Sequence, residues 1–184
     1  MILCADHELN ASSFVARCTG STGSEMAAAL LAALATLGGD KHGGATWQVE
    51  KLLDEHLPGN TLPDAAAGSP PAGFGHPLYP EGDPRACLLM SNMPDSAATQ
   101  FARNMHERYQ LMPSIDFALV ALRRSLSLPR GAAFTLFALG RTAGWLAHIM
   151  EQADRGSLIR PRAHYDGPPA AKHGAAANPG ESSA

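Results

Sequence analysis

Asp116 has Met112, Pro113, Leu119 and Val120 three and four positions away, so a helix over this stretch would set its carboxylate on an apolar stripe. Burial there raises a carboxyl pKa while the nearby helix N-terminus opposes the rise, and a carboxylate of enhanced basicity suits removal of a proton from carbon. A capping or ion-paired aspartate fits the same spacing. Arg141 is the mirror case, with Phe137, Ala138, Gly144 and Trp145 at helical contact spacing. A buried guanidinium needs an anion, either a carboxylate ligand held by two parallel hydrogen bonds or a structural Asp or Glu. His42 lies in the run Gly38-Gly39-Asp40-Lys41-His42-Gly43-Gly44, which delivers it to a helix N-terminus. The positive end of the helix dipole would keep its imidazole neutral and able to donate to a developing enolate oxygen, although the glycines also suit an ordinary turn.

A second group lies in the loop Gly73-Phe74-Gly75-His76-Pro77-Leu78-Tyr79-Pro80-Glu81-Gly82-Asp83-Pro84-Arg85-Ala86. Gly73 and Gly75 permit close backbone approach by a ligand, His76 follows, and Arg85 falls one turn into the next helix. His7, in Asp6-His7-Glu8, fits a surface helix position equally well. The eight histidines form no His-x-x-x-His pair, so no metal site is expected.

Helical spacing of apolar residues runs through most of the chain, and alternating Val, Ile and Thr runs are missing, so the periodicity predicts an all-α fold. Helices are expected near residues 3–19, 22–37, 43–57, 83–93, 95–110, 113–127 and 131–154. Asp83-Pro84 reads as an N-cap followed by proline at the first helical position. Residues 57–71, rich in Pro, Gly, Ala and Asp, read as a surface connection. The tail 166–184 is built from Gly, Pro, Ala, Ser and Lys and is expected to be disordered.

A chain of 184 residues with a net charge of −3 and only 14 Lys and Arg can bury a real core and shows no basic footprint for nucleic acid or an anionic membrane. Its longest apolar stretch, residues 26–37, falls short of the ~20 residues of a membrane span, so a soluble protein is expected. Cys4, Cys18 and Cys87 form an odd set without a Cys-x-x-Cys pair, which fits reduced thiols and a cytoplasmic setting. Met1-Ile2-Leu3 leads straight into an amphipathic segment, as in a chain that begins inside a fold.

Taken in order, Ala5-Asp6-His7-Glu8-Leu9-Asn10-Ala11-Ser12, the His42-Gly43-Gly44-Ala45 turn, the His76 to Arg85 loop and the Asp116 segment resemble the carboxy-terminal part of the citrate synthase family. Gly140-Arg141-Thr142-Ala143-Gly144-Trp145-Leu146-Ala147-His148 and Ile159-Arg160-Pro161-Arg162 extend the similarity to about residue 168. The resemblance implies condensation of acetyl-CoA with oxaloacetate to citrate and CoA, with acetyl-CoA as co-substrate and no metal or permanently bound cofactor. It implies Asp116 as base for the acetyl methyl proton, His42 as donor to the enol oxygen, and His76 as donor to the oxaloacetate ketone. His7, Arg85 and Arg141 would hold the oxaloacetate carboxylates, and Arg160 would reach the other active site of a homodimer. Backbone around Pro71, Ala72, Gly73, Phe74 and Gly75 would contact the CoA adenine.

By the same similarity, residues 45–127 would form a small helical lid, hinged on the glycines after His42 and on the Ser127–Gly131 turn. Residues 1–44 and 128–165 would be the remnant of a large helical domain. Family members carry further large-domain helices ahead of this region, so the remaining ones would expose apolar faces. Activity could then need an N-terminal portion or partner chain. The alternatives are a non-catalytic truncated remnant or CoA-binding module, and an enzyme of 2-methylcitrate synthase or citryl-CoA lyase type.

Overall fold

The computed structural model describes residues 1–65 and 68–168. Among them the regular structure is entirely helical, with one isolated antiparallel bridge between Phe74 and Pro113. The eight helices are α1 (Ile2–Ala5), α2 (Ala11–Gly20), α3 (Met26–Leu37), α4 (Ala45–His56), α5 (Pro84–Ser91), α6 (Ala97–Tyr109), α7 (Ile115–Ser125) and α8 (Ala132–Arg155). None is long and apolar enough to cross a membrane.

The single helix expected over 3–19 is two. Asn10 accepts a hydrogen bond from the Ser13 N–H and caps α2, while Glu8 takes a left-handed φ of 54°, so Asp6–Asn10 is a connection that carries His7 off the helix. The apolar spacing runs on across this break, which hides it. Helix α3 begins four residues later than expected, after a turn over residues 21–23. Asp83 does cap α5, with Pro84 behind it, and α6 opens with a reciprocal Ser96–Thr99 capping box. The connection after α4 is partly packed: Leu62 and Ala65 lie against the core, and Pro63 O accepts from the Tyr109 hydroxyl. Of the tail, Asp166, Gly167 and Pro168 are exposed, and residues 169–184 lie outside the described residues.

Helix α8 is the spine. Its 24 residues span about 36 Å at the usual rise and pack against α1, α2, α3, α4 and α7. Close approach of α1 depends on Gly140 and Gly144, because a Cβ on Gly144 would sit 2.0 Å from Ala5 O. In the other half, α7 packs on α4, α5 and α6 around Phe117, Phe101 and Phe74, with the Phe74 and Phe117 ring centroids 4.9 Å apart. Buried Glu50 on α4 accepts from both Arg123 and Arg124, clamping α4 to the C-terminal end of α7. That leaves the N-terminal ends of α4 and α7, with His42 and Asp116, facing a shared space.

Candidate active site

One cavity of about 390 Å³ is lined by His7, His42, His76, Arg85, Asp116 and Arg141, together with Gly73 and Gly75. Six residues singled out for chemistry, scattered over 135 positions of sequence, thus surround a single space. Each is brought there by local backbone necessity. His7 rides the break before α2, His42 the turn before α4, and His76 the loop before α5. Arg85 and Asp116 occupy the first turns of α5 and α7, and Arg141 the middle of α8. Pairing of the glycine loop with the α7 entry, through Gly75 N to Met112 O at 2.9 Å and Ser114 N to Gly73 O at 2.8 Å, fixes the wall beside Asp116. Only glycine fits at Gly73, where φ is +82° and a Cβ would fall 2.6 Å from the Val49 side chain.

Asp116 is the electrostatic anomaly. Its Oδ1 is sealed from solvent with no hydrogen-bond partner, and Oδ2 receives only a long 3.4 Å contact from the Ser114 hydroxyl. Burial pushes its pKa up to about 7 against the opposing pull of the Arg85 charge and the Ser114 hydrogen bond. No ion pair forms to it among the described residues. Arg141 is equally short of partners. Its Nε donates to Cys4 O at 2.7 Å and its guanidinium lies 5.3 Å from the Phe137 ring centroid, yet Nη1 is buried and unpaired. The structural Asp or Glu that the sequence left open as its partner is not there among the described residues.

His42 is pushed down to about 4, first by burial and then by the charges of Arg141 and His7, so it is neutral at pH 7. Burial and these two charges, rather than its place at a helix end, are the causes that the sequence did not show. Its Nε2 lies 2.9 Å from the Ser12 hydroxyl, which donates to Asn10 Oδ1 at 2.9 Å and accepts from the Trp145 indole at 3.1 Å. With that one proton on Asn10 the neutral ring donates Nε2–H to Ser12, and a turn of the Ser12 hydroxyl towards His42 Nε2 moves the ring's own proton to Nδ1. His76 has the opposite arrangement: Nδ1 accepts from the Leu78 N–H at 3.2 Å, which leaves the proton of the neutral ring on Nε2. Burial and the Arg85 charge lower its pKa and that of His7. His7 Nε2 lies 2.7 Å from the Tyr79 hydroxyl, and the Arg85 guanidinium lies 5.5 Å from the Tyr79 ring centroid.

Residues outside this cavity are as informative. Arg160 is exposed in the irregular stretch after α8 and is not among the lining residues. Pro71 and Ala72 are half-buried, and the Phe74 side chain belongs to the core, so ligand contact from this segment would fall to its backbone. Ser12, Asn10, Tyr79 and Asp83 were missed as site residues. Only Asp83 carried a sequence signal, as an N-cap.

Two imidazoles of lowered pKa in one cavity with a carboxyl poised near neutrality and unpaired cationic capacity suit enolisation next to a bound carboxylate. The sequence model of the citrate synthase C-terminal domain matches residues 1–162. The chain belongs to the citrate synthase family. Citrate synthase 2 of Bacillus subtilis is 38% identical, over 91% of this chain and 50% of that protein. The 2-methylcitrate synthase 1 of Corynebacterium glutamicum is 33% identical, over 91% and 48%. Among solved structures, citrate synthase from Thermoplasma acidophilum in ternary complex with carboxymethyl coenzyme A and oxaloacetate is similar with a TM-score of 0.71 and 31% identity, over 93% of this chain and 51% of that one. The chain thus spans about half the length of these relatives.

Proposed function

We propose that the cavity binds oxaloacetate beside the acetyl thioester of acetyl-CoA and joins them, giving citrate and CoA. The observation that carries this reading is the pairing, in one cavity, of a buried carboxyl near pKa 7 with a buried guanidinium whose Nη1 has no partner. Asp116 Oδ1 takes a methyl proton from the thioester, and His42, with the Ser12 hydroxyl turned to its Nε2, donates from Nδ1–H to the oxygen of the enol that results. The methylene carbon attacks the oxaloacetate ketone while His76 Nε2–H donates to its oxygen. Water then cleaves the citryl thioester. His7, Arg85 and Arg141 hold the two carboxylates, whose charges call for this cationic side of the cavity. The backbone of residues 71–75 takes the adenine. Every step is assigned to side chains and water, with acetyl-CoA as co-substrate and no metal.

In the same reading, residues 45–127 act as a lid over a base formed by 1–44 and 128–165, closing to exclude water until the carbon–carbon bond is made. The lining of the cavity supports this, since it draws His7, Phe137 and Arg141 from the base and His76, Arg85 and Asp116 from the lid. Exposed apolar residues Met26, Leu31 and Leu34 on α3 support association into a homodimer, in which Arg160 reaches the partner's cavity. Three unpaired cysteines support a cytoplasmic setting.

Release of CoA thiol, dependent on both oxaloacetate and acetyl-CoA and measured at several concentrations of the chain, tests the function. Release above background supports it. No release, with no heat of binding for CoA or oxaloacetate, would leave an inert remnant instead. Faster release from propionyl-CoA than from acetyl-CoA would move the chain to the 2-methylcitrate reaction.

A further inference from the structure

Asp83 does more than cap a helix. Its side chain is completely buried and accepts four hydrogen bonds. One comes from the Arg85 backbone N–H at 3.0 Å, which is the cap itself. Two come from the Arg85 guanidinium, Nε at 2.9 Å and Nη2 at 2.8 Å, in the bidentate geometry that fixes a guanidinium plane. The fourth comes from the backbone N–H of Ile115 at 2.9 Å, in the first turn of α7 and one residue before Asp116. A single carboxylate therefore holds a cation of the cavity and the helix end that bears the buried acid, 32 residues further along the chain.

We propose that Asp83 is a positioning residue that locks Arg85 against the N-terminus of α7, so that the guanidinium serves the cavity without pairing with Asp116. Two of the five guanidinium donors are spent on Asp83, which leaves three for a carboxylate ligand. A free Arg85 would turn to the unpaired Oδ1 of Asp116, and that ion pair would take away the basicity that proton abstraction needs. The Asp83 charge acts in the same direction, since it offsets the Arg85 charge felt by Asp116. Other charged or titratable groups around Asp116 are Arg141 on α8 and the Cys4 thiol on α1, with Asp40, Lys41, His42, His7 and His76 lining the same cavity. At the far end of α7, Arg123 and Arg124 are taken up by Glu50 from α4. None of these touches both Arg85 and the α7 N-terminus as Asp83 does. The consequence for turnover rests on the condensation reading, whereas the lock itself can be observed without catalysis.

Asp83→Asn keeps one acceptor oxygen, enough for either the Arg85 or the Ile115 backbone N–H, and loses the charge and one of the two acceptors for the Arg85 guanidinium. Titration of side-chain carboxyl carbons by 13C NMR, with Asp116 assigned from the signal lost in Asp116→Asn, reads the effect directly. The midpoint of Asp116 in Asp83→Asn is expected to fall by roughly half a pH unit or more. In an active chain the acid limb of kcat moves down with it, and KM for oxaloacetate rises more than kcat falls. An Asp116 midpoint that stays in place or rises, in a variant that melts as the wild type does, overturns the proposal. If Asp83→Asn does not fold, the Arg85 Nε–H of the wild-type chain decides: slow exchange with water supports the lock, and exchange as fast as that of an exposed arginine overturns it. A wild-type chain without turnover would count against the condensation reading, and the titration would still decide the role of Asp83.

Discussion

At the scale of single residues, the proposed chemistry depends on Asp116 being ionised near neutrality. With its pKa near 7, turnover should fall as pH drops through 7, and Asp116→Asn should lower kcat by about a thousandfold, within the usual range for a positioned acid or base. The same shift has a stability signature of definite sign. Asp116 holds its proton up to about pH 7 in the folded chain but releases it near 4 when unfolded, so the folded state binds more protons between those values. Its contribution is fully present below about pH 4 and is lost as pH rises to about 7. Thermal melts of Asp116→Asn should therefore gain on the wild type as pH rises across that window. Ser12→Ala should leave substrate affinity nearly intact but lower kcat on the order of tenfold, since His42 loses the contact that can settle its tautomer, a smaller loss than removal of an oxyanion donor outright. Asp116, His42 and Arg141 stood out in the sequence because a charged or polar side chain at apolar helical spacing, or among glycines, is locally odd. Ser12 and Tyr79 did not, because their partners His42 and His7 lie 30 and 72 residues away and nothing local marks either of them.

At the scale of elements, period and caps made most helices legible, and the Asp83-Pro84 start of α5 was readable to the residue. The α1–α2 break was not, since a side-chain cap at Asn10 and a left-handed Glu8 leave the apolar period undisturbed. That break matters for the site: it takes His7 out of a helix and turns it to the cavity. Its partner surface is α8, where Gly144 admits the Ala5 carbonyl and Arg141 donates to the Cys4 carbonyl one residue earlier. Gly144→Ala should push α1 away, lower stability by about 1–3 kcal/mol and raise KM for oxaloacetate through displaced His7 and Arg141. Chemical denaturation together with steady-state kinetics checks both halves of that expectation.

At the scale of the whole molecule, the cavity lies between two groups of helices, and α3 leaves Leu31 67% exposed with Met26 and Leu34 beside it. Apolar residues on both sides of a helix need a second surface, so Leu31→Glu with Leu34→Glu should reduce self-association in sedimentation velocity without unfolding the chain. An unchanged distribution would argue that α3 is not the contact. The family resemblance foresaw apolar exposure but not its placement, since the faces of α3 buried by α2 and α8 are set by tertiary packing. The central claim is that this cavity makes a carbon–carbon bond from a thioester methyl carbon under the control of Asp116. Following acetyl-CoA labelled with 13C at its methyl carbon by NMR, with oxaloacetate and the chain present, observes that bond itself. The label should pass into the methylene carbon of citrate with the wild-type chain and stay in the thioester with Asp116→Asn. Label that remains in acetyl-CoA with the wild-type chain, or appears as free acetate, would contradict it.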